Sequence, residues 1–224
     1  MRESLSTLFD KSEIIDMTNL RAQSPDLHPD LQLLAAQGTQ QTFKKGKLIF
    51  KDGDLGDVIY ILLEGRVRAY GSSLSGKEIT YGYIDAGEYF GELTLDGGRR
   101  SASIEALEAS ICAIVTNAQV KAFMHDQPQF ATEMLHTVIS RARQSTDNAR
   151  NIALLDVYSR LKHIIEKITP EVAVTINITH QELAADVGAS REMVSKLLKD
   201  LEIGGYISFK SRKLTRLKAL PVRW

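Results

Sequence analysis

The sequence predicts an α+β chain: a compact antiparallel barrel or jelly roll of short strands, one long helix, and a small helical domain closed by a β-hairpin. Three observations carry this. Between about Thr42 and Thr116, β-rich runs are broken by glycine at close intervals. Between about Gln129 and Leu155, apolar and small residues recur at alternating three- and four-residue steps. From Ile178 to Leu198, a helix, a glycine turn and a second helix can be read from their capping residues.

Composition narrows the function classes. The 224 residues carry 28 Lys and Arg against 28 Asp and Glu, so the formal net charge is zero. No run of about 18 apolar residues suggests a membrane span, and Met1-Arg2-Glu3-Ser4 leads into no signal-like apolar core. A lone Cys112 in an apolar run reads as a buried small hydrophobe, which with the missing signal makes a reducing cytoplasm the expected compartment. His28, His125, His136, His163 and His180 show no metal-ligand spacing, so no metal site is expected. No nucleophile and base stand at motif spacing either, so an enzyme is not expected.

Taken in order, residues 1–40 form a partly amphipathic extension with no role assigned. Strands are expected at 47–51, 58–63, 65–70, 78–84, 101–106 and 109–115. The loop of residues 87–103 places an acid, a glycine-rich bend and an Arg-Ser pair inside this otherwise apolar body. Arg100 suits a bidentate clamp on phosphate, and Ser101 adds a hydroxyl and a backbone N–H. Glu92 accepts from a sugar hydroxyl, and its bland alternative is an ion pair with Arg100. In the long helix, Leu135, Val138, Ala142, Ser145, Ala149 and Ile152 have the heptad spacing of a two-helix seam. A joint follows at residues 154–160, then an amphipathic helix over 157–168 that ends before Pro170.

The last quarter carries the clearest signal. Thr179 with Glu182 forms a capping box, the buried stripe Leu183, Ala184 and Val187 stops at Gly188, and Ser190 caps a second helix. Val194, Leu197, Leu198 and Leu201 of that helix face inward, leaving Arg191, Glu192, Ser195, Lys196 and Lys199 outward. That pattern suits a reader of the DNA major groove: Arg and Lys donate to guanine, and Glu accepts from cytosine. Thr179 and Ser190, at the two helix starts, join the expected DNA-contacting set because a helix N-terminus can approach a phosphate. Residues 206–224 contain Lys210, Arg212, Lys213, Arg216, Lys218 and Arg223 with no Asp or Glu, in a pattern suited to a hairpin. A hairpin beside a helix-turn-helix is a winged helix, and Lys210, Arg212 and Lys213 are its expected phosphate contacts.

In this order, the run at 53–67, Phe-Gly-Glu-Leu at 90–93, Arg-Arg-Ser-Ala at 99–102, the long helix and Ser-Arg-Glu-Met-Val at 190–194 resemble the catabolite activator (CRP/FNR) family of bacterial transcription regulators. The similarity spans roughly residues 40–218. It implies a cyclic-nucleotide-binding-type β jelly roll over 41–127, a dimerisation helix over 128–155 and a winged helix-turn-helix over 156–224, behind the extension of 1–40. It also implies that Gly91, Glu92, Leu93, Arg100 and Ser101 hold the sugar and cyclic phosphate of a nucleotide, while Ser145 and Thr146 match the family's hydroxyl pair that contacts the purine. The segment from Glu92 to Arg100 is shorter than in the best-known cAMP-dependent activators, and Glu105 stands where a basic residue often sits. Family members also bind haem, iron-sulfur clusters, 2-oxoglutarate or cyclic di-GMP, and the missing N-terminal cysteine cluster disfavours the iron-sulfur branch. The expectation is a homodimeric regulator of double-stranded DNA with inverted half-sites, under allosteric control by a cyclic nucleotide, cAMP first, with cyclic GMP and cyclic di-GMP as alternatives. RNA polymerase is the implied partner, and a signalling module acting through protein contacts is the competing class.

Overall fold

The computed structural model describes residues 27–224. The first 26 residues of the 1–40 extension lie outside the described residues. The rest holds a short helix α1 (Pro29–Ala35), whose Leu31, Leu34 and Ala35 are buried. Among the described residues, eight antiparallel strands build the N-terminal body: β1 (Thr39–Phe43), β2 (Leu48–Phe50), β3 (Val58–Glu64), β4 (Arg66–Ser72), β5 (Glu78–Asp85), β6 (Tyr89–Phe90), β7 (Ser103–Ala106) and β8 (Ser110–Thr116). They form two four-stranded sheets, ordered β1-β8-β3-β6 and β2-β7-β4-β5.

The near-continuous apolar run of β3 follows from burial on both faces. Leu62 joins Phe43, Val67, Ile84, Phe90 and Ile104 between the sheets. Ile59, Ile61 and Leu63 instead pack with Leu31, Leu34, Val120, Phe123, Phe130 and Met134 from the helices. Cys112 is fully buried between the sheets, and burial pushes its thiol up to about 12, as befits an inert core residue.

Thr116 opens α2 (Asn117–Asp126) with a capping box to Gln119. The long helix α3 (Pro128–Leu154) begins with proline at its first turn, where no N–H is needed. Of its 27 residues only Phe130 and Met134 are buried, and Leu135, Ile139 and Leu154 are exposed. It ends at the expected joint, where Asp156 caps α4 (Val157–Ile168) by accepting from Ser159 N at 2.7 Å. No described helix is long and apolar enough to cross a membrane.

The C-terminal domain follows with β9 (Thr175–Asn177), α5 (His180–Val187), α6 (Arg191–Ile203), β10 (Ile207–Lys210) and β11 (Lys213–Arg216), its sheet ordered β10-β11-β9. Leu161, Ile165, Leu183, Val187, Val194, Leu198, Leu201, Ile207 and Leu214 form one core. The tail returns to this core's edge, where Trp224 packs at 6.0 Å from Tyr158 and 5.6 Å from Tyr206. The turn between α5 and α6 rests on Gly188, which is left-handed at φ 66° and caps α5.

Gly188→Ala is expected to destabilise the chain by about 1–2 kcal/mol, because a Cβ disfavours this conformation even where space exists. Gly188→Asn should recover part of the loss, and chemical denaturation of both variants checks the order.

Candidate functional site

A cavity of about 490 Å³ opens between the barrel and α3. Its wall includes Phe50, Ile79, Tyr81, Tyr83, Phe90, Gly91, Glu92, Leu93, Arg100 and Ser101 from the barrel side. From α3 come Arg141, Gln144, Ser145, Asn148, Ala149 and Ile152.

Arg100 is 4% exposed. Its Nη1 donates to Gly91 O at 2.9 Å and its Nη2 to Val58 O at 2.8 Å, while the guanidinium lies 4.2 Å from the Phe50 ring centre. Its Nε is buried without a hydrogen-bond partner. Burial lowers the Arg100 pKa, but a guanidinium starts so high that it stays charged. The close seat depends on Gly91, left-handed at φ 88°: a Cβ there would strike Nη1.

Glu92 does not pair with Arg100. Its carboxylate is 7% exposed and meets Arg141 Nη1 at 2.9 Å. Arg141 also donates from Nη2 to Tyr89 O at 2.7 Å and covers the Tyr89 ring. Arg141, Gln144 and Asn148 were not expected from sequence, although their spacing around Ser145 places all four along one helix face. Ser145, expected to meet the ligand, lines this cavity, as do Ala149 and Ile152, which were read only as seam positions. Thr146 is not in the wall, and its hydroxyl donates back to Ala142 O at 3.0 Å. Glu105, in the basic position, meets Arg68 at 2.9 Å together with Glu78.

The cavity adjoins the C-terminal domain. Tyr83 on β5 donates to Asp186 Oδ1 of α5 at 2.7 Å, and Ile79 lies against Gly188. Burial beside these groups raises the Asp186 pKa, with the Tyr83 hydrogen bond opposing it. Arg160 donates to Leu155 O at 2.7 Å and to Val187 O at 2.9 Å, tying the end of the long helix to the turn of the helix pair.

On the helix pair, Arg191, Glu192, Lys196 and Lys199 are exposed. Thr179 and Ser190 spend their hydroxyls as caps, accepting from Glu182 N at 3.1 Å and Met193 N at 3.2 Å. Ser195 is half-buried and bonded to His180 Nδ1 at 2.7 Å, and the His180 ring lies 4.5 Å from Phe209 of the hairpin. Desolvation, then Arg191, lowers the His180 pKa, so this link is built for a neutral imidazole. The hairpin turns through Ser211 and Arg212, both with positive φ, which presents Lys210, Arg212 and Lys213 to solvent. The other basic residues of this region are partly structural. Arg216 is buried and donates to Thr169 O and Pro170 O at 2.8 Å each, and Lys218 donates to Gly204 O at 2.9 Å.

Residues 40–127 match the cyclic nucleotide-binding domain, and residues 153–221 match the Crp-like helix-turn-helix domain. A cyclic AMP receptor protein of Thermus thermophilus is 29% identical over 180 residues, covering 80% of this chain and 83% of that protein. A global nitrogen regulator of Synechocystis is also 29% identical, with 78% of this chain and 83% of the other covered. Among solved structures, the c-di-GMP responsive global regulator CLP of Xanthomonas campestris superposes with a TM-score of 0.79 at 21% identity, covering 84% and 98% of the two chains. These relatives are transcription regulators and not enzymes. The two matched domains in this order, and the long helix between them, make the chain a member of the CRP/FNR family of transcription regulators, with a cyclic nucleotide-binding domain and a DNA-binding helix-turn-helix domain.

Proposed function

We propose that the chain works as a homodimer whose affinity for inverted DNA half-sites is set by a cyclic nucleotide, cAMP foremost, held in the barrel cavity. The observation that carries this reading is Arg100: a buried guanidinium in a residue that lines the cavity, with no carboxylate paired to it and its Nε packed against Gly56. An anionic group is the natural partner for such a buried cation, and Ser101 supplies a hydroxyl beside it. Gly91 and Leu93 flank Glu92, whose charge is balanced by Arg141, so the carboxylate can accept from a sugar hydroxyl without repelling the phosphate. Ser145 then faces the space left for the base, with Gln144 and Asn148 as further donors and acceptors. We assign Thr146 to the helix seam rather than to this cavity. The dimer reading is supported by exposed Leu135 and Ile139 on α3, since burying each such side chain contributes about 1.5–3 kcal/mol.

Calorimetry against cAMP, cyclic GMP and cyclic di-GMP tests the ligand. Arg100→Ala is expected to weaken cAMP binding at least a hundredfold, about 2.7 kcal/mol. Binding of cyclic di-GMP alone would keep the cavity assignment and replace the nucleotide. Failure of all three would remove the cyclic-nucleotide reading.

On DNA, alanine at Arg191, Glu192 or Lys196 is expected to cost about 1–3 kcal/mol on the cognate site and to relax preference at one base position. Replacing Lys210, Arg212 and Lys213 together should instead weaken all DNA alike and flatten the salt dependence, by about 0.9 in log-log slope for each phosphate no longer neutralised. Gel shifts over a salt series separate the two behaviours.

The contact of Tyr83 with Asp186 is where we place coupling between cavity and DNA domain. Asp186 is outside the cavity wall, so Asp186→Ala is expected to leave nucleotide affinity within about twofold while reducing the nucleotide-induced gain in DNA affinity, a coupling of about 1–3 kcal/mol in such systems. An unchanged gain in paired DNA titrations would move the coupling elsewhere.

A further inference from the structure

The spacing of histidines along the sequence hides a cluster that the fold assembles on the far side of Arg141. His28 precedes α1, Asp30 lies in its first turn, and Glu133 comes from the first turns of α3. One ligand atom from each lies within 4.8 Å of the others. His28 Nδ1 stands 3.7 Å from Glu133 Oε2 and 3.9 Å from Asp30 Oδ2, too far for a hydrogen bond to either. That nitrogen also takes a long hydrogen bond from Asp30 N at 3.4 Å, weak enough for a metal ion to displace. Among the described residues neither carboxylate has a Lys or Arg partner within salt-bridge distance. One imidazole nitrogen and two carboxylate oxygens therefore converge with no Lys or Arg beside them, a place where a cation is favoured.

A second observation lies in the same place. His28 and Glu133 line a cavity of about 230 Å³ whose wall also includes Glu88, Tyr89, Thr137 and Arg141. Tyr89 is 6% exposed, and its buried hydroxyl has no hydrogen-bond partner of good geometry. The neighbouring Thr137 hydroxyl is directed to Glu133 O at 3.1 Å. The cavity thus offers room for water on the open side of the cluster, with the buried Tyr89 hydroxyl and Thr137 beside it.

We propose that His28, Asp30 and Glu133 form a binding site for a divalent transition-metal ion, Zn²⁺ first. One imidazole nitrogen and two carboxylate oxygens are a donor set of borderline hardness, suited to Zn²⁺ and its neighbours better than to Mg²⁺ or Ca²⁺, which favour all-oxygen shells. Bonds of about 2.1 Å in a tetrahedron set ligand atoms about 3.4 Å apart, so the observed separations close by small side-chain rotations. Water from the cavity completes the shell. The bound ion staples α1 to α3. Glu133, Thr137 and Arg141 follow one another at four-residue steps on one helix face, so the staple fixes the stretch of α3 that carries Arg141 toward Glu92.

The test uses the full chain, stripped with a chelator and titrated with Zn²⁺ by calorimetry at neutral pH. One ion per chain is expected, with binding weakened at least tenfold in His28→Gln and in Glu133→Gln and unchanged in His136→Gln, which removes an exposed histidine of the same helix. Co²⁺ in place of Zn²⁺ should give visible absorption bands in the wild type that both cluster variants lose. Zn²⁺ should also raise the melting temperature of the wild type but not of Glu133→Gln. If circular dichroism shows that either variant misfolds, Asp30→Asn replaces it. Wild-type protein that binds no Zn²⁺, or cluster variants that bind it as the wild type does, would overturn the site. None of these readouts depends on which nucleotide the barrel holds.

Discussion

The ion pair between Glu92 and Arg141 holds the barrel and the long helix to a common geometry. Glu92 follows Gly91 into a short helical turn and is almost fully buried, so its charge needs a partner close by. The barrel offers Arg100, but that guanidinium is already spent on two carbonyls. The partner therefore comes from α3. Removing one member of such a pair leaves a buried charge exposed to the full desolvation cost, about 3 kcal/mol or more, while the pair itself contributes far less. Its role is thus to specify position: with Arg141 anchored to Glu92 and to Tyr89 O, Gln144, Ser145 and Asn148 are carried along the same face into the cavity wall.

One connection onward to the DNA domain is made through backbone carbonyls. Arg160 reaches Leu155 O before α4 and Val187 O at the end of α5, so a rotation of α3 at its joint is felt at the glycine turn that sets the reader helix. The other bridge, Tyr83 with Asp186, joins the wall of the cavity directly to α5. Both contacts fall on the last two residues of one short helix, so together they fix its C-terminal end more firmly than either would alone. Ligand-dependent movement of β5 or of α3 therefore reaches the helix pair by separate routes, and only differential affinity for two such arrangements can shift their populations.

Features encoded within a few residues were legible in the sequence. The capping box at Thr179 and Glu182, the Ser190 cap and the left-handed Gly188 all form as read, because each depends on backbone groups no more than four residues away. The strands of the barrel were found where apolar runs met glycine, but β1 was missed, since Thr-Gln-Gln-Thr-Phe forms an edge strand with four exposed residues. The two-residue β6 and three-residue β9 were too short to leave a pattern. At the site, Arg100 and Glu92 stand out through their motifs, whereas Arg141 becomes visible only when the chain has folded back. Basic residues near the wing read alike in sequence, yet Arg216 caps the end of α4 from inside the core while Lys213 remains in solvent. The same limit hid His28, Asp30 and Glu133, whose proximity depends on the packing of α1 against α3.

The packing of Trp224 has a practical consequence. It is the chain's one tryptophan, and it sits half-exposed between Tyr158 and Tyr206 on the DNA-binding domain, away from the barrel. Excitation at the red edge of the protein's absorption therefore addresses a single fluorophore on one side of the joint. A spectral change on adding a small molecule that enters the barrel would be transmitted signal, free of local quenching by that molecule. The chain carries its own optical gauge of communication between its two halves, with no label attached.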